Sequence, residues 1–200
     1  MASKYKKNIF LYFLSLIPII ISTPPYLGCV FIIILLINLL MILSTTLRFF
    51  TNKMTTGNLD NLLILSFMIF FTITFKRILI LFSPVLGMLL GLSIYFVPIS
   101  SLFFELLTKN ENYNSGKVFG VNMSYSGIFS LFLFLFFLIR EILAFGSISI
   151  PVISGIKSFQ FLPIYSLFWG TIPGAFVILA VTLFFVIYID KKLDIVRRKI

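Results

Sequence analysis

Long apolar blocks separated by short polar stretches dominate this chain. The block from Leu27 to Leu47 contains no charged residue. A hydrocarbon core about 30 Å thick needs roughly 20 such residues at helical rise, so this block reads as a transmembrane helix. Comparable blocks cover approximately residues 8–22, 62–82, 85–107, 121–143 and 167–189. The pattern therefore predicts an all-α integral membrane protein, with six transmembrane helices in one polytopic domain over residues 1–200.

The polar stretches add detail. Lys4, Lys6 and Lys7 precede the first block, and Ser22-Thr23-Pro24-Pro25 offers no small-residue cleavage site, so that block reads as an uncleaved span. Pro18 lies inside it and removes a helix hydrogen bond, which predicts a kink or break. Ser83-Pro84 and Gly87 place a turn near Phe82 to Pro84. Lys76 and Arg77 then fall inside the end of the third span, where long basic side chains snorkel to the headgroups. The stretch after the fifth span, with Pro151, Gly155, Lys157 and Pro163, reads as a mixed loop.

Composition agrees and excludes several functions. Hydrophobic residues make up 60% of the chain and charged residues 11%, against about 25% charged in soluble domains. There is no histidine, a single cysteine (Cys29) and only six carboxylates. A Ser-His-Asp triad, a histidine metal site and a cluster held by this chain's own thiolates are excluded, and a stand-alone enzyme is not expected. Cys29 itself reads as a small apolar residue.

The net charge of +10 sorts by side. With both termini inside, the inner side holds Lys4, Lys6, Lys7, Arg48, Lys53, Lys109, Lys117, Lys191, Lys192, Arg197, Arg198 and Lys199, and the outer side holds Lys76, Arg77, Arg140 and Lys157. That distribution follows the positive-inside rule. It predicts a multi-pass membrane protein with both termini cytoplasmic and the lipid bilayer as its surroundings. No basic stripe interleaved with aromatics lies outside the apolar blocks, so no nucleic-acid partner is expected.

Two sequence features invite a functional reading. Leu16-Ile17-Pro18-Ile19 in the first span and Phe96-Val97-Pro98-Ile99 in the fourth occupy corresponding places if spans one to three and four to six form an inverted 3+3 repeat. Paired interruptions of this kind point to a midplane site, although proline is common in membrane helices generally. The other is Arg140-Glu141, an ionisable pair near the end of the fifth span, followed by Gly146 as a helix C-cap. Adjacent helical residues point about 100° apart, so the two need not pair. Arg140 is expected to complement the helix C-terminus and snorkel outward.

Two segments carry a family resemblance. Leu138-Ile139-Arg140-Glu141-Ile142-Leu143-Ala144-Phe145-Gly146-Ser147 ends the fifth span. Ile172-Pro173-Gly174-Ala175-Phe176 opens the sixth, which closes with Ile189-Asp190 before a basic tail. Both resemble the six-span membrane subunits of the Rnf and Nqr complexes, namely the E subunit of Rnf and the D subunit of the sodium-pumping NADH–quinone oxidoreductase. The Leu16-Ile17-Pro18 and Val97-Pro98 stretches resemble elements of the family's first and fourth helices.

The resemblance implies membership of an ion-translocating electron transport complex, with other membrane subunits as partners. It also implies Pro18, Pro98, Arg140, Glu141, Gly146, Pro173, Gly174, Phe176 and Asp190 as family-matched structural positions. Relatives contribute cysteines from two half-helices to a two-iron, two-sulfur cluster. Here Ile17 stands where the first would be, and the second would fall near Phe103 or Phe104. No cofactor is therefore expected on this chain, and a degenerate or scaffold member is implied, with Arg140 and Glu141 holding a helix end against a neighbouring subunit. The competing reading is a substrate-binding membrane subunit of a small-solute transporter, which length and apolar content fit equally well. A lipid-directed transferase is disfavoured by the absence of histidine and of clustered aspartates.

Overall fold

A computed structural model of the chain describes residues 15–54, 59–108, 115–163 and 166–197. Its helices are α1 (residues 15–22), α2 (Leu27–Met54), α3 (Asp60–Phe82), α4 (Pro84–Leu90), α5 (Ser93–Thr108), α6 (Ser115–Phe145) and α7 (Ile172–Arg197). Between α6 and α7 lie two strands, β1 (Ser147–Val152) and β2 (Gly155–Gln160), and a 3₁₀ turn at Leu167–Gly170.

Among the described residues three helices are long and apolar enough to cross a membrane: Leu27–Thr51, Asp60–Phe82 and Phe119–Phe145. α4 and α5 add a fourth if they are one span, bent by 62° at their junction. The apolar part of α7, Ile172–Tyr188, is shorter. Of the first expected span, residues 8–14 lie outside the described residues.

α2 is the central helix and is far more buried than α3. It packs on α3, α5, α6 and β1. Ile33, Leu36, Ile37, Leu40 and Met41 of α2 meet Leu133, Phe136 and Phe137 of α6 and Ile94 and Val97 of α5 in one continuous core. α3 buries only Ile64, Met68 and Thr72, one narrow stripe, and turns Phe67, Phe70, Ile73 and Leu81 outward. Outward-facing phenylalanine and leucine on long helices suit acyl chains rather than water.

Three expectations are corrected. The prolines do not break their helices: α1 is helical through Pro18, and α5 through Pro98. The chain breaks instead at Thr23-Pro24-Pro25 and at Gly91-Leu92. Successive prolines cannot supply the N–H groups that would continue α1. Gly91 adopts φ 45, a left-handed conformation that favours glycine. At Pro98, Ser101 Oγ donates to the Pro98 carbonyl (2.9 Å) within an unbroken helix.

The mixed loop after α6 is a β-hairpin, so the fold is mostly rather than wholly helical. Its strands pair antiparallel, with Ser147 opposite Gln160 and Val152 opposite Gly155. Pro151 is tolerated because a two-stranded ribbon has only edge strands. Lys76, finally, does not snorkel: its Nζ donates to the Gly91 carbonyl (2.9 Å) and lies 4.4 Å from the centre of the Tyr95 ring, capping the break between α4 and α5.

Candidate functional site

The reversal between α1 and α2 brings a carbonyl-rich helix end and an N–H-rich helix end within four residues of each other. Such ends each leave up to four backbone groups without an intrahelical partner, and these ones are buried. Ile20, Thr23 and Leu27 are each no more than 3% exposed.

Arg140 and Glu141 of α6 satisfy the two ends separately. The Arg140 guanidinium donates to the carbonyls of Ile20 (3.4 Å) and Thr23 (3.5 Å) at the end of α1. It also donates to those of Trp169 (3.4 Å) and Gly170 (3.0 Å) at the end of the 3₁₀ turn. Its carbon centre lies 5.3 Å from the centre of the Phe137 ring. Glu141 Oε2 accepts from the Leu27 backbone N–H (2.6 Å) and from Ser149 Oγ (3.0 Å). The next amide, Gly28 N–H, donates to Ser149 Oγ (3.0 Å), and Cys29 N–H to the Tyr26 carbonyl (3.0 Å). Three successive amides at the start of α2 are thereby accounted for.

Each charge complements a helix dipole, the cation at carbonyl ends and the carboxylate at an amide end. The 100° divergence of adjacent helical residues lets neighbours on α6 reach opposite sides of one reversal. Arg140 is 2% exposed and Glu141 1%. The expectation that Arg140 turns outward is therefore overturned. Both side chains are buried within this chain, and what they hold here are its own helix ends. Among the described residues, Glu141 Oε1 and Thr23 Oγ1 are buried without a hydrogen-bond partner.

The surroundings fix this geometry. Tyr26 stacks on Phe145 with ring centres 5.1 Å apart. Gly146 takes φ 62 and closes α6 by donating to Ile142 (2.9 Å), while its carbonyl accepts from Phe161 and Leu162 N–H. This bears out the reading of Gly146 as a C-cap and folds the chain after the hairpin back over the helix end. A Cβ on Gly174 would fall 2.2 Å from the Phe168 carbonyl, so only glycine lets α7 approach the 3₁₀ turn that Arg140 holds. Pro173 occupies the first turn of α7, where its missing N–H costs nothing.

Phe176 is exposed and does not join the site. Asp190 belongs to α7, and its side chain lies outside the described residues. Pro18 and Pro98 sit in α1 and α5, whose facing ends are tied by a hydrogen bond from Ser93 Oγ to the Ser22 carbonyl. Ile17 is half-buried in α1, and the side chains of Phe103 and Phe104 lie outside the described residues. Cys29 is buried in the first turn of α2. Among the described residues no three of His, Cys, Asp and Glu gather as a metal-ligand group.

A second polar arrangement escaped the sequence reading. On α6, Asn122, Ser126 and Ser130 recur every four residues and face Asn38 and Thr45 of α2. Ser126 Oγ donates to Asn38 Oδ1 (2.8 Å), and Asn38 Nδ2 donates to Ser130 Oγ (2.9 Å). Asn122 Nδ2 donates to Thr45 Oγ1 (3.2 Å). The signal was the i, i+4, i+8 spacing of small polar residues within an apolar helix.

Interhelical hydrogen bonds of this type average about 0.6 kcal/mol and reach roughly 2 kcal/mol. Asn38 makes two of them, so Asn38→Leu is expected to cost about 1–2 kcal/mol. Denaturant titration of the purified protein in detergent micelles measures it, and a stability equal to that of the unsubstituted chain would contradict a linking role.

Comparison of the chain with family models, with curated proteins and with solved structures finds no match in any of the three.

Proposed function

We propose that this chain is a multi-pass scaffold subunit of an Rnf/Nqr-type ion-translocating electron transport complex, carrying no iron–sulfur cluster of its own. The observation that supports this reading best is the meeting of the two segments that carry the resemblance. Arg140, Glu141 and Gly146 from one and Gly174 from the other lie about the same helix ends, linked through the 3₁₀ turn.

In this reading the membrane is the bacterial cell membrane and both termini are cytoplasmic. The six spans are α1 with the residues preceding it, α2, α3, α4 joined to α5, α6, and α7. They form an inverted repeat of α1–α3 and α4–α7, in which the end of α1 meets the start of α5 through Ser22 and Ser93. Arg140, Glu141 and Lys76 stiffen the interruptions by occupying their free backbone groups. The donor set does not fit a cluster of the relatives' type, because isoleucine and phenylalanine stand where thiolates would be required. Electron transfer then belongs to partner subunits, and this chain supplies shape.

Isolation of the chain in mild detergent from its native membrane tests the proposal. Flavin-bearing and other Rnf/Nqr-like membrane subunits are expected to accompany it, with iron accounted for by those partners. Isolation with an ATP-hydrolysing module, or alone with a bound small solute, would contradict it and favour a transporter.

A further inference from the structure

The hairpin turns several large apolar side chains outward. Residues paired across an antiparallel ribbon point to the same side. The register therefore places Ser147, Ser149, Pro151, Ile156, Ser158 and Gln160 on one face, and Ile148, Ile150, Val152, Lys157 and Phe159 on the other. Ser147 and Ser149 are buried against the helix ends and Ile148 and Ile156 pack on the core, whereas Ile150, Val152 and Phe159 are exposed together with Ser158 and Gln160. At the turn, Ile153 is 80% exposed, and Phe161 just beyond the second strand is 69% exposed. Gly155 sits beside Val85, which joins this surface to Leu81, Phe82 and Met88, all exposed at the corner between α3 and α4. From Ile142 to Ile189 the only charged residue is Lys157.

A hairpin standing in water would not leave Ile150, Val152, Ile153, Phe159 and Phe161 exposed together. One immersed in hydrocarbon would leave the unpaired N–H and C=O groups of its edges without partners, at several kcal/mol each. The boundary between headgroups and acyl chains meets both demands, because water reaches the strand edges there while apolar side chains reach lipid.

We propose that the β1–β2 hairpin and the adjoining α3–α4 corner form a lipid-binding surface embedded about 5–10 Å into the membrane interface. Its apolar face lies against acyl chains, and Lys157 reaches the phosphate level. The starts of α2 and the Arg140–Glu141 pair then lie beneath the membrane surface, sealed from water by the hairpin. This inference rests only on the membrane-spanning part of the function proposed above and not on the partner subunits.

Trp169 is the only tryptophan, so depth is measurable by fluorescence. In a Trp169→Phe background, Ile153→Trp and, as a more conservative probe, Phe159→Trp report the hairpin. Phe70→Trp, on the outward face of α3, reports the span. The full chain is reconstituted in phosphatidylcholine vesicles brominated near the headgroup end or near the methyl end of the acyl chain.

The hairpin probes are expected to lose emission most to the shallow bromines and little to aqueous iodide, and Phe70→Trp to lose most to the deep ones. Strong iodide quenching of both hairpin probes would place the hairpin in water and overturn the proposal. Protection from both quenchers would mean that protein covers it, and would overturn the proposal equally. Loss of bromine quenching at Phe70→Trp would reject the membrane-spanning reading itself, and so be distinguished from failure of the hairpin alone.

Discussion

Replacing Arg140 with methionine is expected to lower unfolding stability by about 3–5 kcal/mol, the usual cost of removing one member of a buried charged arrangement. The side chain is similar in length and apolar, so packing against Phe137 changes little. What is lost is the set of donors to Ile20, Thr23, Trp169 and Gly170. Two buried carbonyls at the end of α1 and two half-buried ones at the end of the 3₁₀ turn would then lack them, and hydrogen bonds to charged groups contribute about 1.5–3 kcal/mol each where geometry is good. Arg140→Lys keeps the charge but not the planar fork that spans both ends, so it should recover only part of the loss. Thermal unfolding in detergent micelles distinguishes these variants from Arg77→Met, whose side chain is exposed and which should be neutral. An Arg140→Met protein that unfolds with its parent would show that the carbonyl contacts contribute nothing.

Replacing Glu141 with alanine is expected to cost about 2.5–4 kcal/mol. A lost N-cap accounts for roughly 1 kcal/mol, and the charge-assisted bond from Ser149 for about 1.5–3 kcal/mol. The effects couple, because Ser149 Oγ bonds both Glu141 and the Gly28 amide. Without the carboxylate, β1 loses its tie to α6 and keeps only the Gly28–Ser149 bond to α2, and the hairpin should become more protease-sensitive. Glu141→Gln retains an acceptor oxygen and should fall between alanine and the parent. Limited proteolysis read by mass spectrometry follows the hairpin directly, and unchanged cleavage in Glu141→Ala would count against that tie.

Much of this arrangement was legible from element boundaries. The sequence placed a span from Leu27, and α2 begins there because two prolines precede it and an uncharged apolar block follows. Ser83-Pro84 marked the corner between α3 and α4, where proline suits the first position of a new helix. Gly146 was readable as a C-cap because a glycine just past an apolar helix end is the residue that most readily turns left-handed.

Other parts were not legible, for physical reasons. Proline lowers the stability of a helix without dictating where it breaks, and at Gly91 the backbone had a less costly place to bend. Arg140 was read as facing outward because a basic residue near a helix end has two favourable fates, headgroup or buried carbonyls. The choice depends on a reversal more than a hundred residues away in sequence. The hairpin was hidden by Pro151 and Gly155, which punctuate loops, although Ser147-Ile148-Ser149-Ile150 alternates as a strand does. In the present account the buried members of that alternation are its serines and Ile150 faces lipid, while Ile148 packs on the core, so the usual reading of such a strand applies only in part.

Adjacent charges on α6 closing the two ends of the α1–α2 reversal are central to this account. Hydrogen exchange at the first amides of α2 tests it most directly. In the unsubstituted chain Leu27 and Gly28 should exchange slowly, because Glu141 Oε2 and Ser149 Oγ hold them. In Glu141→Ala both should lose protection while the amides around Leu36 and Leu40 keep theirs. Equal protection of Leu27 and Gly28 in the two proteins would contradict the account.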